Sequence, residues 1–186
     1  MPTPIDILFH PISLVVLAMY GTLMAWEALA PGRQLPRIPG WHLRGLASFF
    51  VYFWLSSYLP LLWDGWLAEY QVVDLSGLGT LGGIAAGLLV YEFCAYGYHR
   101  AVHGSNTLWR VFHQMHHSAE RLDTFGAFWF APTDMFAWTF VGSFALVLIV
   151  GVTPQAATAI LLILTLLAIL QHANIRTPHW LGYLVQ

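Results

Sequence analysis

The sequence predicts an all-α polytopic membrane protein, because of its composition and its long apolar stretches. Hydrophobic residues make up 58% of the 186 residues and charged residues 9%, whereas a soluble domain has about 25% charged residues. So little charge cannot cover a water-exposed surface of this size, and lipid is therefore the natural solvent. The same composition excludes a disordered chain and a nucleic-acid-binding protein. The single cysteine, Cys94, excludes internal disulfides.

Five segments are apolar over nearly the length that a membrane-spanning helix needs, which is about 20 residues. The predicted spans are residues 7–30, 46–63, 78–98, 135–152 and 155–171. The third is rich in glycine over its first half, which suits close packing against a neighbouring helix. Residues 151–154 separate the last two spans and predict a helical hairpin. Because some stretches are near the lower limit of length, we expect four to five transmembrane helices.

The arginines predict the orientation of these spans. Counting spans places all basic residues in segments on one side of the membrane: Arg33, Arg37, Arg44, Arg100, Arg110, Arg121 and Arg176. The segments on the opposite side carry acidic residues and no basic ones. Because positive residues accumulate on the cytoplasmic side of a membrane, the arginine side is predicted to be cytoplasmic.

Six of the nine histidines fall on that same predicted side. His99 and His103 form an HxxxH motif that continues the third span, and residues four apart share one helix face. An HxxxH pair alone is more typical of interfacial histidines, but residues 113–117 add an HxxHH motif whose histidines also share a face. A lone histidine such as His172 often interacts with a helix C-terminus. However, His172 is predicted to lie on the same side of the membrane as the other five histidines, which favours a role as a metal ligand. The predicted metal ligands are His99, His103, His113, His116, His117 and His172.

The predicted site is therefore histidine-ligated and lies at the cytoplasmic face. Neutral imidazoles suit iron or zinc better than calcium or magnesium. Six imidazoles exceed the four positions of one tetrahedral zinc site, which favours two metal ions.

The motifs at residues 99–103 and 113–117 resemble those of the fatty acid hydroxylase/sterol desaturase superfamily. Residues 118–123 and the His172-Ala-Asn174 element extend the resemblance, which covers about residue 91 to the end. It implies a membrane-bound, non-haem di-iron oxidoreductase that uses O₂ to hydroxylate or desaturate a sterol, a fatty acyl chain or a related lipid. The implied cofactors are two iron ions, with zinc possible in vitro. The implied electron donor is a cytochrome b5-like protein, or a ferredoxin with its reductase.

The resemblance also implies a domain organisation. Residues 1–75 would form an N-terminal transmembrane hairpin with its loops, and residues 76–186 a catalytic domain whose C-terminal part is missing. The superfamily has a further HxxHH after the His172 element, whereas this sequence stops at Gln186, and Arg176 stands where acyl hydroxylases have another histidine. The sequence is therefore predicted to be either a fragment or a decayed relative, and its abrupt end at residues 184–186, with no capping or charged tail, favours a fragment. We expect the second metal site of such a fragment to be incomplete and the fragment itself to be inactive.

Three polar residues are predicted to orient the ligand histidines through hydrogen bonds, as partners of metal ligands commonly do. Asp123 is the strongest candidate, because the superfamily pattern repeats an acid there. Glu92 lies near the end of a span, where ionisable groups are usually functional; the alternative is an ion pair with Arg100 or another arginine. Asn174 suits either a place beside the metals or a cap on the fifth helix.

Two other functions use the same histidines. One is a zinc-dependent membrane hydrolase, which metal identity and O₂ consumption would distinguish. The other is a non-catalytic metal carrier or transporter, which needs ligands near the bilayer midplane rather than at one face. For location, the sequence favours a bacterial inner membrane over the endoplasmic reticulum.

Overall fold

The computed structural model describes residues 1–183, and 75% of the structure is helical. The α-helices of the described residues are α1 (Pro4–Leu8), α2 (Pro11–Leu29), α3 (Trp41–Tyr58), α4 (Pro60–Ala68), α5 (Gly79–Gly104), α6 (Asn106–Leu108), α7 (Gln114–His117), α8 (Pro132–Ser143) and α9 (Pro154–His172). Other helical turns are the π-helices Trp109–His113 and Phe144–Ile149 and the 3-10 helices Ser76–Leu78, Thr124–Gly126 and His179–Tyr183. The expectation that the sequence is a fragment rests on residues 184–186, which lie outside the described residues.

Five helical segments are long and apolar enough to cross a membrane. They are Pro11–Leu29, Trp41–Ala68, Ser76–Gly104, Pro132–Ile149 and Pro154–His172. The predicted fold class is therefore confirmed. The described residues contain five candidate spans, the larger of the two predicted numbers. The chain is an integral membrane protein whose described residues are mostly helical and include almost no strand.

The observed bounds of the spans differ from the predicted ones, most clearly in the first three spans. The second span extends to Ala68, because α4 starts directly after α3 and its Pro60 occupies the first turn, where proline is tolerated. A break at His10 separates the short α1 from α2. The third span continues to Gly104 and includes the whole HxxxH motif, as predicted.

The chain divides into two compact units. The first unit comprises Met1, Tyr52–His117 and Phe130–Leu161; the second comprises Pro2–Val51, Ser118–Trp129 and the chain from Leu162 onward. The predicted functional division between residues 75 and 76 stays a prediction.

Close helix packing characterises the first unit. A Cβ at Gly87 of α5 would lie 2.5 Å from Ile160 Cδ1 in α9, and one at Gly83 would lie 3.0 Å from Ala156 Cβ. Ala156 and Ile160 are fully buried. The glycine-rich half of α5 therefore allows α9 to approach closely, as the sequence predicts.

A short parallel pairing joins two loops of the first unit. Strand β1 (Val73–Asp74) pairs with β2 (Val150–Gly151), next to α4 and the second π-helix respectively. Hydrogen bonds from the side chain and backbone of Ser76 lower the pKa of Asp74. The pairing satisfies backbone groups where helix has ended.

Aromatic packing joins the elements of the second unit. The rings of Tyr20 in α2 and Phe49 in α3 stack with centroids 4.3 Å apart, and Phe128 packs against both. The Ser48 hydroxyl donates a hydrogen bond of 2.6 Å to the Phe128 carbonyl. These contacts hold the 118–129 segment against α2 and α3.

Candidate metal centre

Four histidines of the first unit converge on one point. The ring nitrogens of His99, His103, His113 and His117 all lie within 4.8 Å of one another. His99 and His103 are on the last turns of α5, His113 ends the first π-helix, and His117 ends α7. His113 is buried, whereas the other three are exposed. We call these residues the four-histidine group.

The nitrogen spacings fit the ligand set of a metal ion. His99 Nε2 lies 3.0 Å from His103 Nε2 and 3.0 Å from His113 Nε2. Two nitrogens that bind one ion at about 2.1 Å and at right angles lie about 3.0 Å apart. Imidazole nitrogens are ligands that iron and zinc both accept. The donor set of this group therefore suits a first-row transition metal.

One buried carboxylate contacts the group. Asp134 Oδ2 lies 2.8 Å from His113 Nδ1, and Asp134 Oδ1 accepts a hydrogen bond of 2.6 Å from the Tyr98 hydroxyl. Asp134 is fully buried, and His113 is 1% exposed. Asp134 is not among the residues predicted from the sequence, although an ionisable residue in the first turn of an apolar span usually has a function.

The start of α8 holds this carboxylate against the first π-helix. Pro132 occupies the first turn of α8, and Asp134 follows in the same turn. The neighbouring Thr133 hydroxyl donates a hydrogen bond to the Val111 carbonyl, inside the π-helix. Two successive residues of α8 therefore contact the segment that carries His113. Such π-helical turns occur frequently at functional sites.

The other two predicted ligands, His116 and His172, do not belong to the four-histidine group, although the His116 ring centroid lies 5.1 Å from that of His113 and 5.4 Å from that of His117. His116 belongs to α7 and packs its ring on Phe130, with centroids 4.6 Å apart. His172 ends α9 in the second unit, and its Nδ1 lies 2.7 Å from the Ala168 carbonyl oxygen. The structure thus brings four of the six predicted ligands together, and metal binding by any of the six stays a prediction.

Asp123 is fully buried in the second unit and has partners there. The Trp41 indole N–H lies 2.9 and 3.0 Å from its two oxygens, and Arg121 Nε donates at 2.7 Å. The Gly126 amide also donates to Asp123 Oδ1, at 3.1 Å. These bonds join α3 to the 118–129 segment, and the predicted role of Asp123 beside a metal ligand stays a prediction.

Asn174 joins two loops of the second unit. Its side chain accepts a bond of 3.0 Å from the Arg33 amide and donates one of 2.8 Å to the Arg33 carbonyl. Its own amide donates to Glu27 Oε2 at 3.0 Å. Glu27 is 8% exposed and also accepts from the amide and the hydroxyl of Thr124, at 2.8 and 2.6 Å. Glu27, the acid that connects these segments, is not among the residues predicted from the sequence.

Glu92 lies on α5, the helix that carries His99 and His103. The alternative partner considered for it, Arg100, donates a hydrogen bond of 2.9 Å to the Tyr96 hydroxyl. The roles of Glu92 and Asn174 beside the metal ligands stay predictions.

The fold and the site together define a class of protein: a helical membrane protein with histidines grouped at the end of a spanning helix. A comparison with models of protein families identifies the family within this class. The family model of fatty acid hydroxylases matches residues 84–186, more than half of the chain and all of the four-histidine group. The chain belongs to the fatty acid hydroxylase family, as the histidine motifs predict. Comparisons with curated proteins and with solved structures found no match.

Proposed function

We propose that the protein is a membrane-bound oxidoreductase that hydroxylates or desaturates a lipid chain with O₂ at a non-haem di-iron site. One observation carries the proposal: the four-histidine group lies inside the region matched by the fatty acid hydroxylase family. Its imidazoles are spaced as ligands of one ion, and iron is an ion that imidazole binds well.

The proposed site holds two ions. His99, His103, His113 and His117 would hold the first, and His116 and His172 remain predicted ligands. Bound iron supplies the O₂-dependent oxidation of an unactivated C–H bond, which side chains alone cannot perform.

The chain's own residues position the site for a lipid substrate. α5 is a membrane-spanning helix, and His103 lies one residue before its end at Gly104. The four-histidine group is therefore expected at the boundary between lipid and water, where an acyl chain or sterol can approach from the bilayer. Ligands at a boundary also argue against a transporter, whose site is expected near the midplane.

The side of the membrane that carries the site and the source of its electrons complete the proposed function. The distribution of arginines supports placing the site on the cytoplasmic face. We further propose a bacterial inner membrane as the location. Hydroxylation and desaturation with O₂ both consume two external electrons, so a separate donor is required. We propose a cytochrome b5-like protein, or a ferredoxin with its reductase, and a substrate drawn from the bilayer rather than a nucleic acid.

Metal content and lipid products test the proposal. The purified chain is expected to contain iron by elemental analysis, and a double variant, His99→Ala with His113→Ala, is expected to lose it. His10→Asn is the matched control, because His10 caps α2 in the second unit and its replacement keeps a capping side chain. Retention of iron by the double variant would contradict the proposal.

The product assay separates oxygenase from hydrolase. Lipids from cells that express the wild-type gene at its natural length with a donor are expected to carry a new hydroxyl group or double bond by mass spectrometry, and the double variant is expected to abolish it. A fragment with an incomplete second site is expected to form no product. Bound zinc together with a hydrolysed lipid, and no consumption of O₂, would instead identify the zinc-dependent hydrolase.

A further inference from the structure

Asp134 is a buried carboxylate with two partners on different elements. Its side chain has no exposed surface and lies in the first turn of the spanning helix α8. Tyr98 of α5 donates to one oxygen at 2.6 Å, and the other oxygen lies 2.8 Å from His113 Nδ1. Burying a charge is costly unless the charge is paired and hydrogen-bonded. Both oxygens are engaged here, and His113 is the partner that belongs to the four-histidine group.

The contact with Asp134 defines the tautomer of His113. An ionised carboxylate only accepts hydrogen bonds, so Nδ1 of His113 carries the proton and donates it to Asp134. The lone pair of the neutral ring then resides on Nε2. That nitrogen is the one that faces His99 Nε2 at 3.0 Å. Asp134 therefore presents the nitrogen that a metal ion would use.

The charge of Asp134 gives it a second role. The members of the four-histidine group are neutral donors when they bind a metal, so they leave the positive charge of an ion uncompensated. Asp134 places a negative charge one imidazole ring away, and both Asp134 and His113 are buried. A carboxylate in this position also makes the histidine a more basic ligand.

We infer that Asp134 is a positioning residue for metal binding, which acts through His113 and is itself held by Tyr98. The inference rests on the proposed function, because it requires that the four-histidine group binds a metal. It goes further by assigning a role to Asp134 and Tyr98, which neither the histidine motifs nor the family match identifies.

The test measures metal binding by the 186-residue chain in detergent, with Zn²⁺ as a redox-inert probe in competition with a chromophoric chelator. Asp134→Asn is the main variant, because it keeps the size of the side chain and removes its charge. Asp134→Glu restores a carboxylate. Thr139→Val is the matched control on the same helix: its buried hydroxyl bonds the Met135 carbonyl, not a histidine.

We expect Asp134→Asn to weaken Zn²⁺ binding by about 10–100-fold, Asp134→Glu to recover part of the loss, and Thr139→Val to bind as the wild type does. With Co²⁺ at saturation, the visible absorption bands of Asp134→Asn are expected to shift, because the donor strength of His113 changes. A merely structural Asp134 would lower the Tm of the metal-free protein and leave both the affinity and the bands unchanged.

The outcomes separate the two proposals. Wild-type protein that binds Zn²⁺, with Asp134→Asn less than about threefold weaker and with unchanged Co²⁺ bands, overturns the inference and leaves the proposed function standing. Wild-type protein that binds neither ion overturns both. If Asp134→Asn does not fold, Tyr98→Phe takes its place, since it frees one carboxylate oxygen; a measurable loss of affinity supports the inference, and wild-type affinity overturns it.

Discussion

Replacement of Glu27 by alanine is expected to destabilise the second unit strongly. Glu27 Oε2 accepts hydrogen bonds from the Thr124 amide, the Thr124 hydroxyl and the Asn174 amide. The bonds lie in a buried region, where a stranded donor costs about 1–3 kcal/mol. Alanine would leave the backbone amides of Thr124 and Asn174 without this acceptor. The expected loss in free energy of unfolding is therefore about 2–6 kcal/mol.

Glu27→Gln separates the charge from the hydrogen bonds. A glutamine oxygen still accepts from the same donors, but a neutral acceptor forms a bond about half as strong as a charged one. We expect this variant to lose about 1–2 kcal/mol, clearly less than Glu27→Ala. Unfolding in detergent micelles, followed by circular dichroism against increasing denaturant, measures both losses.

The matched control is Glu69→Gln, which removes an exposed carboxylate of the first unit. We expect it to change the free energy of unfolding by less than about 0.5 kcal/mol. The reasoning would be refuted if Glu27→Ala were as stable as this control. Equal losses for Glu27→Ala and Glu27→Gln would instead show that charge, rather than the stranded donors, dominates.

Three further results are expected. Gly87→Val places a side chain against Ile160 of α9 and should destabilise the protein by about 1–3 kcal/mol, whereas Gly97→Val, whose Cβ meets no atom within 4 Å, should be tolerated in the same unfolding assay. Trp41→Phe removes the indole donor to Asp123 and should cost about 1.5–3 kcal/mol; a loss below that of Gly97→Val would contradict the assigned bond. Zn²⁺ at 100 times its Kd should add about 2.7 kcal/mol to the free energy of unfolding, and a chelator should reverse the gain, while an unchanged Tm would count against a folded metal site.

Features set by local composition were predictable from the sequence. The five spans follow from the length of each apolar stretch, and α5 continues through His99 and His103 because no proline interrupts it. The spacing of these histidines by one helical turn predicts that they share a face, and the 3.0 Å between their Nε2 atoms agrees. The boundary between α3 and α4 was less predictable, because a proline can either end a helix or start one.

Contacts between distant residues were not predictable in the same way. Asp134 is 21 positions from His113, and Glu27 is 147 positions from Asn174. A single sequence gives no signal for such pairs beyond an acid inside an apolar span. The π-helix Trp109–His113 precedes α7, and the two types of turn differ in periodicity. The prediction from the sequence assumes a regular α-helix, in which His113, His116 and His117 share one face. The four-histidine group contains only His113 and His117 of this motif.

X-ray absorption at the iron edge tests most directly whether the four-histidine group binds iron. The protein purified with iron is expected to show nitrogen neighbours at about 2.1 Å and the outer-shell scattering that imidazole rings produce. This scattering should fall in the variant that combines His99→Ala with His113→Ala. Iron with a porphyrin pattern, or iron whose scattering is the same in wild type and variant, would contradict the assignment of the metal centre.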